Sequence, residues 1–314
     1  MDRKEMEVFK TGFRAMGTDI SVDIVSEKEK GFEAEEAFQE IKKIFEKNEK
    51  IFSRFNPDSE LSEINRNIGK EVAISPEMFE LLELCLKFYD ISDGYFDPRI
   101  IGNLEKAGYD KDFRSHDFNE RAEREIILEK IGGDLKKDLT LKNGKRTVLI
   151  KKRIDTTGIA KGYTVDQAAD HLKKMGFRNF IVEAGGDMRA AGKNQDSEVW
   201  KVGVEGIEDE RLMLNLENES VATSGISRKR WQIGEKKFHH LIDPKDPEKF
   251  SFDIKTVTVI GKETVEADGW AKILLLMGRE KGLEFANQNG LRALFLDYKG
   301  NAYLSRNMKQ NLIS

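Results

Sequence analysis

Apolar positions along the chain follow two periods, one of two residues and one near 3.6, and their alternation predicts mixed secondary structure. Phe9 to Val25 alternates loosely, with Ile20, Val22 and Ile24 on one face of a second strand, so a hairpin turning near Met16-Gly17-Thr18 is expected. Ala34, Ala37, Phe38, Ile41, Ile44 and Phe45 recur at helical spacing among Glu and Lys, the pattern of an amphipathic helix with a solvated outer face. Ser75-Pro76 reads as an N-cap followed by proline in the first turn, and the dense apolar residues after it predict a buried helix to about Ile91. Asn143-Gly144, between Leu139-Thr140-Leu141 and Thr147-Val148-Leu149-Ile150, signals a hairpin.

Further along, Val165, Ala168, Ala169, Leu172 and Met175 predict a helix from Thr164 to Met175, closed by Gly176 in a left-handed cap. Phe180-Ile181-Val182 is a short buried strand, stopped by Glu183 and Gly185-Gly186. Other strands are expected around Val199 to Val204, Leu212 to Leu216 and Val257 to Ile260, and Asp268 is expected to open a helix from Gly269 to Met277. One order occurs twice: Gly158-Ile159-Ala160-Lys161 leads through a helix to Gly176-Phe177-Arg178 and a strand, and Gly269-Trp270-Ala271-Lys272 leads to Gly290-Leu291-Arg292 and a strand. The near-constant spacing points to a duplicated α/β unit whose two loops meet at one site. Residues 104–153 are polar and strongly charged, with Arg114 to Glu125 either a solvated helix or an insertion, and no function is read from them.

Composition narrows the function. Charged residues make up 35% of 314, yet the net charge is only -4, which predicts a mildly acidic surface without the basic stripe that nucleic acid needs. The single cysteine, Cys85, excludes an intramolecular disulfide and reads as a packed helix thiol. No run of 18 apolar residues occurs, so no transmembrane segment is expected. Met1 to Glu7 lacks the apolar core of a secretory signal, which favours a cytoplasmic protein; the alternative is an exported one whose leader is absent from this sequence.

Two stretches carry candidate chemistry. Asp155 and Lys161 flank a loop in which Gly158, Ala160 and Gly162 let a ligand approach the backbone, and free N–H groups entering a helix favour an anion. The spacing is neither a P-loop nor a dinucleotide G-x-G-x-x-G. His239-His240, two of the four histidines, stand three residues before Asp243. No further His or Cys cluster supports zinc, so general acid–base work at His240 is the better reading. Met16-Gly17 read without further context is a turn with a core Met, and Asp97 is turn chemistry before Pro98.

Asp155 through Asp166, followed by Gly185-Gly186-Asp187, resembles the signature of the ApbE family of FAD:protein FMN transferases. The likeness extends through Met16-Gly17-Thr18, Phe52-Ser53-Arg54-Phe55, Gly94-Tyr95-Phe96-Asp97-Pro98, Ala222-Thr223-Ser224-Gly225, His240-Leu241-Ile242-Asp243-Pro244 and Glu266-Ala267-Asp268. The resemblance implies one α+β domain over 1–314, with mixed, largely antiparallel sheets and packed helices related to the T-fold. It implies transfer of FMN from FAD to a Thr or Ser hydroxyl of an acceptor flavoprotein, with release of AMP.

By the same resemblance, Met16, Gly17 and Thr18 lie against the flavin, Phe55 stacks on its ring, and Tyr95, Phe96 and Asp97 line the FAD site. Asp155, Lys161, Ser224 and Ile242 are the further FAD-binding positions, and His240, helped by Asp243, accepts the proton of the attacking hydroxyl. Gly158, Asp268, Ala271 and Lys272 fall at the positions implied for a magnesium ion. The family carries Thr where this chain has Lys272, and an ammonium has no lone pair for a metal. Either Lys272 points away, or its charge stands in the metal's place. Two alternatives to transfer remain open: FAD binding without chemistry, and hydrolysis of FAD to FMN and AMP.

Overall fold

The computed structural model describes residues 5–111, 126–207, 212–227 and 229–313; Arg114 to Glu125 lie outside them. An eight-stranded antiparallel sheet organises the chain, and its strands stand side by side in the order in which they are made. They are Met6–Ala15, Thr18–Glu27, Asn179–Ala184, Asp187–Ala191, Ser220–Gly225, Ile254–Gly261, Arg292–Asp297 and Ala302–Leu304. Each half of the sheet is a pair of strands, a helical crossing and a second pair. The halves join only where Ser220 pairs with Arg189 and Val221 with Met188. The expected duplication is therefore visible as topology.

The first hairpin turns at Met16 and Gly17, with φ of 51° and 71°. Left-handed backbone at both positions matches the right-handed twist of the flanking strands, and register runs unbroken from Ala15↔Thr18 to Met6↔Glu27. Glycine meets that demand freely, whereas Met16 pays about 1 kcal/mol or more of strain. Ile20, Val22 and Ile24 pair with Ala184, Val182 and Phe180 and bury one face against Phe38, Ile41 and Phe45 of the Gly31–Phe52 helix and Ala168, Ala169 and Leu172 of the Thr157–Lys174 helix. In the second half Val257, Val259 and Phe295 pack on Leu274 and Ala286 of the Thr264–Met277 and Arg279–Gln288 helices. The opposite face, at Val25, Val221, Ile260 and Leu294, is covered by Trp200, Val202, Leu214 and Leu216 of a small three-stranded sheet.

Two helix starts differ from the expectation. The Asp155–Gly162 stretch is not a loop before a helix beginning at Thr164: Asp155 Oδ1 accepts from Thr157 N at 2.9 Å, and the helix starts at Thr157. Gly158 and Lys161 therefore stand on its first two turns. The second helix starts at Thr264, and Asp268 lies one turn inside it rather than opening it. Its first N–H groups, at Thr264 and Val265, are satisfied by the Asp166 carboxylate, both at 2.9 Å. A cap supplied from 98 residues away leaves no local signature.

Asn143–Lys145 forms a single 3-10 turn ending in left-handed Arg146, longer than the two-residue turn expected, and joins Leu139–Lys142 to Thr147–Ile150. The Pro76–Ile91 helix carries its cap at Ser75, whose side chain accepts from Met78 N. Among the described residues no helix is long and apolar enough to cross a membrane.

The two long helices touch at Gly162, where a Cβ would lie 2.7 Å from Thr264 O and 2.8 Å from Val265 Cα, both backbone atoms. Gly162→Ala should therefore destabilise the protein by about 1–3 kcal/mol through overpacking. A urea midpoint equal to wild type would show that the crossing has slack.

Candidate active site

Where the two long helices meet the first hairpin and the His240 segment, a cleft of about 560 Å³ opens, a volume in the range of small-molecule sites. Asp155, Gly158 and Lys161 enter it from the first helix, Asp268 and Lys272 from the second. Met16, Gly17 and Thr18 line it from the hairpin, and Phe55, Tyr95 and Asp97 from the segments around the Pro76–Ile91 helix. Ser224, His240 and Ile242 complete the contribution of the second half of the chain.

Three positions named from the sequence lie elsewhere. Phe96 is 1% exposed and packs in the core, 5.6 Å from Phe88 between ring centroids. Ala271 is fully buried beneath its helix, among Val257, Val259 and Leu274. Asp243 does not hold His240; its Oδ1 accepts from Lys245 N at 2.9 Å, closing the turn around Pro244. In all three the backbone lies near the cleft while the side chain is committed to packing or turn chemistry.

Arg54 is the residue that ties the cleft walls together. Its guanidinium lies 3.5 Å from Asp155 Oδ2, with both side chains buried, and donates to Tyr109 O at 2.9 Å. The same group covers the Phe55 and Tyr109 rings at 4.2 and 4.5 Å. Asp155 is further fixed through its backbone N–H to Pro98 O, and Asn65 brackets Ile154 with two hydrogen bonds of 2.9 Å. Asp97 is clamped in turn by buried Arg99, which also reaches Asp138.

Nothing local in Phe52-Ser53-Arg54-Phe55 marks Arg54, because its partners Asp155 and Tyr109 are distant in the chain. Tyr109, Glu205 and Lys229 also line the cleft unannounced. Tyr109 comes from the charged 104–153 segment; its ring meets Phe55 at 5.7 Å and His240 at 6.3 Å, both edge-on. The only hint was an aromatic residue within a polar run.

Charge is arranged in pairs. Lys161 makes an ion pair with Asp187, which is 1% exposed. Burial alone would lower the Lys161 pKa, but Asp187 and Asp268 outweigh it and hold the ammonium above its ordinary value. Burial and then the Asp187 charge push Asp268 well above the usual carboxylate range, against Lys161, the Gly162 N–H and Lys272. Burial lowers Lys272, with Asp155 and Asp268 opposing. Its Nζ rests against Gly158, so closely that a Cβ there would overlap it, and lies 5.2 Å from the Phe96 ring centre.

Of the histidine pair, only His240 faces the cleft. Its Nδ1 is buried without a hydrogen-bond partner, and its pKa falls well below the ordinary value because of burial first and the charges of Lys229, His239 and Lys272 after it. His239 sits edge-on between Phe250 and Phe252, with Nε2 3.2 Å from Ser251 O, and burial brings its pKa to about 4.

Fold and cleft together define a class: an α+β protein on a duplicated antiparallel sheet, with a cleft that offers paired lysines and a helix N-terminus beside aromatic rings and a neutral imidazole. The chain belongs to the ApbE family, whose model matches residues 16–295. A FAD:protein FMN transferase of Haemophilus influenzae is 28% identical over 316 aligned positions, spanning 97% of this chain and 90% of that protein. The FAD:protein FMN transferase of Chlamydia muridarum is 28% identical over 275 positions, 83% of each chain. Among solved structures, the apo flavinyl transferase ApbE of Pseudomonas stutzeri shares the fold over the full length of both chains, with a TM-score of 0.82 at 25% identity. The ApbE protein of Thermotoga maritima superposes with a TM-score of 0.84 at 24% identity, covering 98% of this chain and 100% of that one.

Folded His239 stays neutral down to about pH 4, whereas in the unfolded chain it takes its proton near the ordinary histidine value of 6.5. At this residue the unfolded state therefore binds more protons across that window, and the contribution of His239 to stability falls as pH drops from about 6.5 to 4, while Asp268, whose folded carboxyl is raised to about 8, contributes in the opposite direction. His240 adds in the same direction as His239. In urea titrations the stability of wild type relative to His239→Phe should fall by roughly 3 kcal/mol across that span. A difference between wild type and His239→Phe that stays constant between pH 7 and 4 would contradict the neutral, buried assignment.

Proposed function

We propose that this chain transfers FMN from FAD to a Thr or Ser hydroxyl of an acceptor flavoprotein and releases AMP. The observation that carries the reading is the convergence, in one cleft, of the Thr157 helix start, Lys161, Lys272 and His240. Phosphoryl transfer asks little covalent chemistry of a protein; it asks for charge neutralisation, alignment and a place for one proton. Lys272 brings an ammonium with unspent donors to the diphosphate, and Lys161, held by Asp187, adds its charge to the same cleft. Phe55, Tyr109 and Met16 offer a stacking and apolar wall for the isoalloxazine ring, with Ser224 and Ile242 along the same cleft.

In the reaction, the acceptor hydroxyl oxygen forms a bond to the phosphorus of the FMN half, the bond to the bridging oxygen breaks, and AMP leaves with that oxygen. The hydroxyl proton passes to His240. Because burial depresses its pKa, His240 is in the accepting form at neutral pH, although a weaker base for the same reason.

Magnesium is the cofactor that the family resemblance brings with it, and the residues at its implied positions do not fit the ion. Lys272 Nζ rests against Gly158, and Ala271 is buried away from the cleft. An ammonium about 4 Å from a divalent ion costs roughly 8 kcal/mol at an effective dielectric near 20, twice the value for unit charges. No step of the proposed reaction is routed through a metal.

Incubation with FAD and an acceptor domain containing a Thr site, followed by mass spectrometry, distinguishes the readings. Transfer predicts an acceptor heavier by one FMN with AMP in equal amount; FMN and AMP free in solution would mean hydrolysis, and intact FAD would mean a binder. His240→Ala should slow transfer by about 10²- to 10⁴-fold with FAD binding retained. An undiminished rate in that variant would remove His240 from the chemistry.

A further inference from the structure

We infer that Lys272 is a built-in substrate-binding cation, contacting the diphosphate of FAD directly, so that this chain binds FAD without a divalent metal. The inference rests on the proposed function for the identity of the ligand, and on the geometry of this one side chain for the rest.

Two other basic groups of the cleft are committed: Arg54 to Asp155 and Tyr109, Lys161 to Asp187. Lys272 differs. Its ammonium lines the cleft, rests on Gly158 and the Phe96 ring, and makes no hydrogen bond or ion pair within 4 Å to any described residue. Burial works against its charge and lowers its pKa, while Asp155 and Asp268 act on it through space in favour of the charged form without consuming its N–H groups. A partly buried ammonium with unspent donors, facing an opening, is a prepared anion site. Gly158 belongs to the same device, since any side chain at that position would meet Lys272 Nζ. Because the charge is already in place, a metal ion has neither room nor attraction there.

The test is FAD binding by calorimetry, with the full chain, in excess EDTA and in millimolar magnesium or manganese, with manganese electron paramagnetic resonance as a direct count of bound metal. The wild-type dissociation constant should be the same within about twofold in both media, with no manganese retained in the FAD complex. Lys272→Met should weaken FAD binding about tenfold or more whatever the metal, reflecting one lost charge-assisted contact. Lys272→Thr, which removes the charge and supplies an oxygen, should bind FAD weakly in EDTA, recover with metal and retain manganese. Thermal melting of each variant separates misfolding from loss of the contact. FAD binding by wild type that collapses in EDTA, or stoichiometric manganese in its complex, would overturn the inference alone; no FAD binding in any medium would take down the proposed function and this inference with it.

Discussion

The buried Asp166 carboxylate is the contact on which the rest of the architecture hangs. It accepts from Thr264 N and Val265 N and pairs with Arg189 at 2.6 Å, so all of its charge is answered by the start of one helix and by a strand. A carboxylate so satisfied sets position as well as energy, since removing any partner would leave a buried charge exposed to the interior at a cost of several kcal/mol. Gly162, one turn earlier on the same helix, removes the side chain that would hold the two helices apart. Together they set the second helix in a single register against the first. Asp268 then meets the Gly162 N–H at 3.3 Å, and one turn further on Lys272 arrives over Gly158.

From that register follows the electrostatics of the cleft. Asp155 is answered by Arg54 and Asp187 by Lys161, while Asp268 lies under the influence of both lysines. Charges paired across elements hold their geometry before any ligand arrives, and a preorganised field loses little to rearrangement at the moment of reaction. The aromatic side of the cleft uses the same logic. Arg54 lies over Phe55 and Tyr109, Tyr109 meets Trp231 and His240, and the surrounding rings and burial keep the imidazoles neutral.

Legibility followed the range of the interactions. The first hairpin, the Gly31–Phe52 and Pro76–Ile91 helices and the strands around Phe180 and Val259 were readable because each depends on local period, caps and turn residues. The helix starts at Thr157 and Thr264 carry no side-chain cap at Thr156 or Glu263; their first N–H groups are answered by Asp155, one residue before the N-cap, and by the distant Asp166, and neither follows the spacing of a local capping box. Asp243, Phe96 and Ala271 shared motifs with true cleft residues, but motif membership places a backbone and leaves the side chain's direction to packing. Tyr109 and Arg54 were missed for the converse reason: their importance lies in whom they touch.

What the amino-acid order determined by itself was the family, the elements of strongest period and the oddity of a lysine at position 272, since each is a property of residues close together in the chain. What only the tertiary structure decided was where that lysine's charge lies and which acids and bases answer one another. Electrostatic partnership depends on distances of a few ångströms between residues about a hundred positions apart, and those distances exist only once the two helices have crossed.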